Sequence, residues 1–337
     1  FGVFINYVTK IRERIMKREQ VMREKKKVLQ ALFVVCAAFV LIFAVKKADQ
    51  PGSVQIYEET VTMAGIRRSY DFFLIADTHI SLCDDRDPGL IEKAQTRREA
   101  FARESKKTAV RTFHNLITQS NRNDTDLTIF AGDITDSAMY ASIDFVQKET
   151  ERLSMPYLYV TGNHDFEYGK EYFSKKAYNK YFPRLKNLTK TSQQYAIYEF
   201  DDLIVAGLND KNNQFDKQAV QALLPYIKGT KPVILVTHVP LQPQYQDSPL
   251  EQQANDIWGL SEHGRCRVLL GETACRPNQT TQRLLDAVFA KDSAVAAVFA
   301  GHIHFYHRGM LNDTSVQLVT GAGYYGDAAL IHVRAAS

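Results

Sequence analysis

The sequence predicts an α/β domain, a sheet interior covered by helices, carried behind one membrane-spanning helix. Three observations lead there. Compact runs of Val, Ile, Leu and aromatic residues alternate with stretches of helical apolar spacing, as expected of strands buried on both faces and covered by helices. Asp, Asn and His follow immediately on five of those runs. One uncharged stretch near the N-terminus is long enough to cross a bilayer.

That stretch, residues 28–45, reads VLQALFVVCAAFVLIFAV, eighteen residues without a charge and interrupted only by Gln30. Lysines bracket it at 25–27 and 46–47, unusual flanks for a helix inside a globular core. No small-residue cleavage site precedes Lys46, as a signal peptide would need. Residues 1–27 hold nine Lys/Arg against three Asp/Glu. The positive-inside bias therefore makes 1–27 a basic cytoplasmic segment and puts everything after residue 47 on the extracytoplasmic side. The expectation is a single-pass membrane protein. The chain opens on Phe rather than Met, so where its N-terminus begins is left open.

The net charge of +4 belongs to this segment: residues 1–47 carry 11 Lys/Arg against 3 Asp/Glu, leaving 31 against 35 for the rest. A slightly acidic domain argues against a nucleic-acid partner. With 45% hydrophobic and 24% charged residues, the composition is that of a globular protein with a full core. Cys266 and Cys275 could close a loop disulfide on an oxidising side of the membrane, leaving Cys83 unpaired.

Residues 46–70, which include DQPGS, read as a linker, and 71–337 as the main domain. Strands are predicted at DFFLIA (71–76), LTIFAG (127–132), YLYV (157–160), LIVAG (203–207), PVILVTH (232–238) and AVAAVFAGH (294–302). Helices are expected at about 90–119, 138–153, 214–227 and 279–290. The final stretch SVQLVTGAGYYGDAALIHV alternates and reads as closing antiparallel strands.

The polar residues sit where those strands end. IADTHI supplies Asp77 and His79, FAGDITD supplies Asp133, VTGNHD supplies Asn163, His164 and Asp165, LVTHVP supplies His238, and FAGHIHFYH supplies His302 and His304. Any one of these fragments is what a plain turn gives. Five in order, each after an apolar strand, would converge on the crevice at the carboxyl ends of a sheet. Carboxylate, amide oxygen and imidazole suit Mn, Fe or Zn.

The ordered set Asp77-X-His79, Gly132-Asp133, Gly162-Asn163-His164-Asp165, His238 and Gly301-His302-X-His304 resembles the signature of the calcineurin-like metallophosphoesterases over roughly residues 71–333. The resemblance implies a four-layer α-β-β-α sandwich with two mixed β-sheets. It also implies a two-metal hydrolase that cleaves a phosphomonoester or phosphodiester with a metal-activated hydroxide. It assigns Asp77, His79, Asp133 and His304 to one metal ion, and Asn163, His238 and His302 to the other, with Asp133 as the bridge. His164 would face the substrate and protonate the leaving oxygen, and Asp165 would orient its ring. Gly162 would let the backbone approach the metals. Asp136 resembles a frequent position behind the ligands.

Departures from particular branches narrow the reading. The tyrosine that ligates iron in purple acid phosphatases would fall at position 136, which is Asp. The Asp-Arg-Gly and Asn-His-Glu runs of phosphoprotein phosphatases are replaced by 135–137 Thr-Asp-Ser and by Asn163-His164-Asp165. The DNA-repair nucleases of the family share Asn-His-Asp, but a membrane-anchored acidic domain suits DNA poorly. The arrangement looks more like membrane-tethered bacterial metallophosphoesterases, or the membrane enzymes that trim phosphoethanolamine from lipid-linked glycans. Two long segments could choose a substrate: 84–107, a charged helix with Arg97, Arg98 and Arg103, and 241–279, with Tyr245 and Trp258. The alternative from another class is a catalytically weak, membrane-tethered metal-binding or scaffold protein of the same fold.

Overall fold

The computed structural model describes residues 54–166, 174–190, 194–209, 213–245, 248–260, 268–271 and 276–336. The predicted membrane span at 28–45, the basic segment 1–27 and the pair Cys266 and Cys275 lie outside these residues. Among the described residues, no helix is long and apolar enough to cross a membrane.

Two mixed sheets organise the chain. The first contains β1 (Gln55–Met63), β2 (Tyr70–Ile75), β3 (Leu127–Ala131), β4 (Tyr157–Val160) and β11 (Asp327–Ala335), in the order β1-β11-β2-β3-β4. The second contains β5 (Tyr195–Glu199), β6 (Ile204–Leu208), β7 (Val233–Val236), β8 (Val295–Ala300), β9 (His307–Met310) and β10 (Val316–Val319), in the order β5-β6-β7-β8-β10-β9. Strands β2, β3 and β4 run parallel, as do β6, β7, β8 and β10.

The pleat of each strand sends alternate side chains to opposite faces, and the core divides accordingly. Phe72 and Leu74 of β2 join Ile129, Val160, Val205, Val236 and Phe299 between the two sheets. Phe73 and Ile75 point the other way and pack with Phe130 and Tyr159 under α1 (Ile91–Ser105), α2 (Ala109–Arg122) and α3 (Tyr140–Thr150). Helix α2 shows why it forms there: Phe113, Leu116 and Ile117 line one buried face, and the Thr108 side chain accepts from Arg111 N as its N-cap. Short helices α4 (Lys175–Tyr181) and α5 (Lys186–Thr189) extend this layer. On the far face of the second sheet, α6 (Lys217–Ile227) and α8 (Gln279–Val288) cover Ala206, Leu235 and Val298. Helix α7 (Pro249–Trp258) joins a smaller cluster with Leu269, Ile303 and Val319. The order of layers is helices, sheet, sheet, helices, as the family resemblance implied.

Two expectations need correction. Residues 55–63, assigned to the linker, form β1 and pair along their whole length with β11, so the folded domain begins well before residue 71. The helix expected at 90–119 is two, because Lys106 adopts a left-handed conformation and Thr108 caps a second helix. The final stretch supplies antiparallel strands as expected, but to two different sheets: β10 runs antiparallel to β9 in the second and β11 antiparallel to β2 in the first.

Neighbouring strands end level. Ile75 lies beside Phe130 and Ala131 beside Val160 in the first sheet, and Val236 beside Phe299 and Ala300 beside Val319 in the second. Their carboxyl-terminal loops therefore emerge together, and the polar residues of the sequence motifs lie on those loops.

Candidate metal centre

Five of the predicted ligands, Asp77, His79, Asp133, His302 and His304, have positive φ, between 46° and 74°. For residues other than glycine this left-handed conformation costs on the order of 1–3 kcal/mol, and it clusters at functional sites. Here it turns each side chain inward just past its strand end. Gly132 has φ of +84°, and a Cβ on it would lie 2.4 Å from His238 Nδ1. A Cβ on Gly162 would meet Asp133 Oδ1 at 2.3 Å, so glycine is what lets the backbone lie this close to Asp133. Gly132→Ala is expected to lower the unfolding free energy by more than about 1 kcal/mol, since it combines backbone strain with a clash into a buried ring. A urea unfolding midpoint equal to wild type would contradict this.

All seven predicted ligands come together. Asp77, His79 and His304 form one group and Asp133, His238 and His302 another, with the atoms of each group within 4.8 Å of one another. Asn163 Oδ1 joins the second at 3.0 Å from His238 Nε2. Asp133 Oδ2 stands between the groups, 3.1 Å from His238 Nε2 and 4.0 Å from His79 Nε2.

The donor chemistry of this cluster fits cations. His238 Nδ1 lies 2.9 Å from the Ala131 carbonyl oxygen, which can only accept, so Nδ1 carries the proton and Nε2 presents a lone pair. That lone pair faces Asp133 Oδ2, Asn163 Oδ1 and, at 3.3 Å, His302 Nδ1. In the other group His79 Nδ1 faces Asp136 Oδ1 at 3.2 Å, which turns its Nε2 lone pair toward His304 Nε2 at 3.3 Å. Among the described residues, nothing donates a hydrogen bond to the buried Asp77 Oδ1. Converging acceptors repel one another unless a cation lies among them.

The electrostatics agree. Burial and the neighbouring His238 push the pKa of His302 down to about 3, and burial lowers that of His79 against the pull of Asp136. Both rings are thus held neutral, as metal ligation requires. Burial alone would raise the pKa of Asp133, but positive charge beside it, which His238 and His164 would supply where no metal ion does, outweighs burial and lowers it.

His164 lies beside this cluster, its ring centroid 4.9 Å from that of His79. Asp165 does not orient it. Both Asp165 oxygens are engaged with the backbone, accepting from the N–H groups of Asp133 (2.9 Å), Thr135 (2.8 Å) and Gly162 (2.7 Å) and from the Thr135 hydroxyl (2.9 Å). The carboxylate facing His164 Nδ1, at 3.1 Å, is Asp136. Sequence adjacency misled because the turn directs His164 outward and Asp165 inward. Asp165→Ala would orphan three buried N–H groups and is expected to cost about 3 kcal/mol or more in urea unfolding. A loss within 0.5 kcal/mol would mean that the loop is held by other contacts.

Asp136 is buried, and its Oδ1 accepts from both His79 and His164. Arg97 of α1 grips it with Nε at 2.7 Å from Oδ2 and Nη2 at 3.0 Å from Oδ1. His79, Asp136 and His164 also have metal-like spacing, but the guanidinium already supplies the cation there. Sequence reading missed the roles of Arg97, Phe101, Glu104 and Tyr324 around this centre. Their signal was the spacing of four and three between Arg97, Phe101 and Glu104, one face of one helix.

The profile of the calcineurin-like phosphoesterase family (Metallophos) matches residues 70–306. The chain belongs to the calcineurin-like phosphoesterases. Members of this family are metal-dependent phosphoesterases that use two metal ions, and the His and Asp groups described above fit such a site. No curated protein matches the chain. Among solved structures, it is similar to a dimetal phosphatase from Danio rerio, with 13% identity over 76% of this chain and 88% of that one and a TM-score of 0.46. It is also similar to a purple acid phosphatase from yellow lupin, with 13% identity over 79% of this chain and 46% of that one and a TM-score of 0.43. The family assignment rests on the profile match, not on these distant likenesses.

Proposed function

We propose that this calcineurin-like phosphoesterase hydrolyses a phosphomonoester or phosphodiester with two metal ions, Mn, Fe or Zn, on the extracytoplasmic side of a membrane that residues 28–45 anchor. The observation that carries the reading is the pair of Asp and His groups of metal-ligand spacing that meet at Asp133 Oδ2, with His164 at their edge. Asp77, His79 and His304 would hold one ion and Asn163, His238 and His302 the other, with Asp133 between them. When bound, such ions acidify water and offset the charge that develops on phosphoryl oxygens.

The chain's own residues supply the rest. Asp136 accepts from His164 Nδ1 and so leaves Nε2 as the nitrogen that exchanges a proton with the substrate, donating it to the departing oxygen. Asp165 fixes the loop that carries Asp133 and Thr135. The membrane placement is supported by the uncharged stretch and by the excess of lysine and arginine before it.

The test is hydrolysis of p-nitrophenyl phosphate and bis-p-nitrophenyl phosphate by the full chain in detergent, across a Mn²⁺ series with metal content measured in parallel. Metal-dependent turnover is expected, and the preferred ester identifies monoester or diester chemistry. Two bound metals without turnover on either ester would favour the metal-binding or scaffold alternative. A chain that binds no metal would overturn the centre altogether.

A further inference from the structure

Helix α1 looks from its sequence like a solvated charged helix, but one stripe of it is pressed against the metal centre. Arg97, Phe101 and Glu104 recur at the spacing that lines up one helical face, and each reaches a different part of the centre. The Phe101 ring stacks on His79, with centroids 4.6 Å apart and planes 21° from parallel. Arg97 anchors the helix through its fork on Asp136. Glu104 Oε1 accepts from the Tyr324 hydroxyl at 2.9 Å and from the Tyr325 hydroxyl at 2.5 Å.

Tyr324 is buried, and its hydroxyl oxygen lies 3.4 Å from His304 Nδ1. With its own proton committed to Glu104, that oxygen can only accept from the His304 ring. This fixes the proton of His304 on Nδ1 and leaves Nε2 bearing a lone pair, 3.5 Å from Asp77 Oδ1. The Tyr324 ring also lies edge-on to His79, with centroids 5.8 Å apart.

We propose that α1 is the positioning element of the Asp77–His79–His304 half of the centre, with Glu104, acting through Tyr324, setting the ring and tautomer of His304, and Phe101 holding the ring of His79. The inference rests on the metal-centre reading under Proposed function. It makes Glu104, Tyr324 and Phe101 positioning residues for one ion and not for the other.

The experiment is chelator-competition titration of the full chain with Mn²⁺, resolving the two metal equivalents, on wild type, Glu104→Ala, Tyr324→Phe and the double variant. One equivalent is expected to weaken by about 10- to 100-fold in each single variant while the other stays at wild-type affinity, the range measured when partners behind metal ligands are removed. The double variant should bind no worse than either single one, because the two residues act in series. Glu104→Gln keeps an acceptor oxygen and is expected to recover most of the loss. Arg103→Ala, on an exposed position of the same helix, should leave both equivalents unchanged. Wild-type affinity for both equivalents in Glu104→Ala and Tyr324→Phe would overturn the proposal, as would equal weakening of both. A wild-type chain that binds no metal would overturn the metal-centre reading as well, so the two failures are distinguishable.

Discussion

Asn in place of Asp133 is expected to lower metal-dependent turnover by about 1,000-fold or more, which corresponds to about 4 kcal/mol of transition-state stabilisation. The substitution keeps the shape and removes the charge. Asp133 Oδ2 is the atom common to both halves of the centre, and Oδ1 accepts from the His164 backbone N–H at 2.6 Å. An asparagine can still make that second contact through its oxygen. Its amide N–H would face the His238 lone pair and satisfy it without a cation. Metal content should therefore fall while the metal-free chain stays folded. Measuring kcat/KM together with bound metal per chain checks this, and a variant with both metals and wild-type turnover would remove Asp133 from the bridging position.

His164→Ala is expected to behave in the opposite way toward metal: both equivalents are retained, and kcat falls by about 10²- to 10⁴-fold, the usual range for a general acid. The ring is held from behind by Asp136 and meets His79 edge-on. Asp136→Asn should reproduce part of the loss, because it weakens the bond that orients the same ring. Full activity in His164→Ala would sink the proton-transfer role, and loss of metal would make His164 part of the ligand set.

The residues that converge on the candidate centre were legible because each follows an apolar run whose end the chain marks with a change of polarity: Ile75 to Asp77, Ala131 to Asp133, Val236 to His238. The central strands were legible for the same reason. What the sequence concealed has a different physical origin. β1, QIYEETVTM, carries two adjacent glutamates and buries only Val61 and Met63, because it is an edge strand with one face outside the core, and it looked like linker. The division of α1 from α2 depends on one left-handed lysine, a choice made by tertiary packing. The orienting partner of His164 was misread as Asp165 because neighbours in sequence stand on opposite sides of a turn, whereas Asp136 meets His164 across 28 positions. The contacts of Glu104 with Tyr324 and of Tyr324 with His304 span distances in sequence that no local pattern encodes.

The level strand ends have a consequence for how the domain unfolds. Asp77, His79, Asp133 and Asn163 hang from the first sheet, and His238, His302 and His304 from the second. An ion shared between Asp77 and His304, or between Asp133 and His238, ties together chain positions far apart and fastens one sheet to the other, as a cross-link would. Closing so long a loop restricts the unfolded chain far more than the folded one, and any ligand confined to the native state adds its binding free energy to stability. Chelation is therefore expected to lower the melting temperature and to speed amide exchange first between the sheets, at residues such as Val160 and Val236, before the outer helical layers loosen. An unchanged melting temperature on chelator treatment would show that the sheets are held by their apolar faces alone.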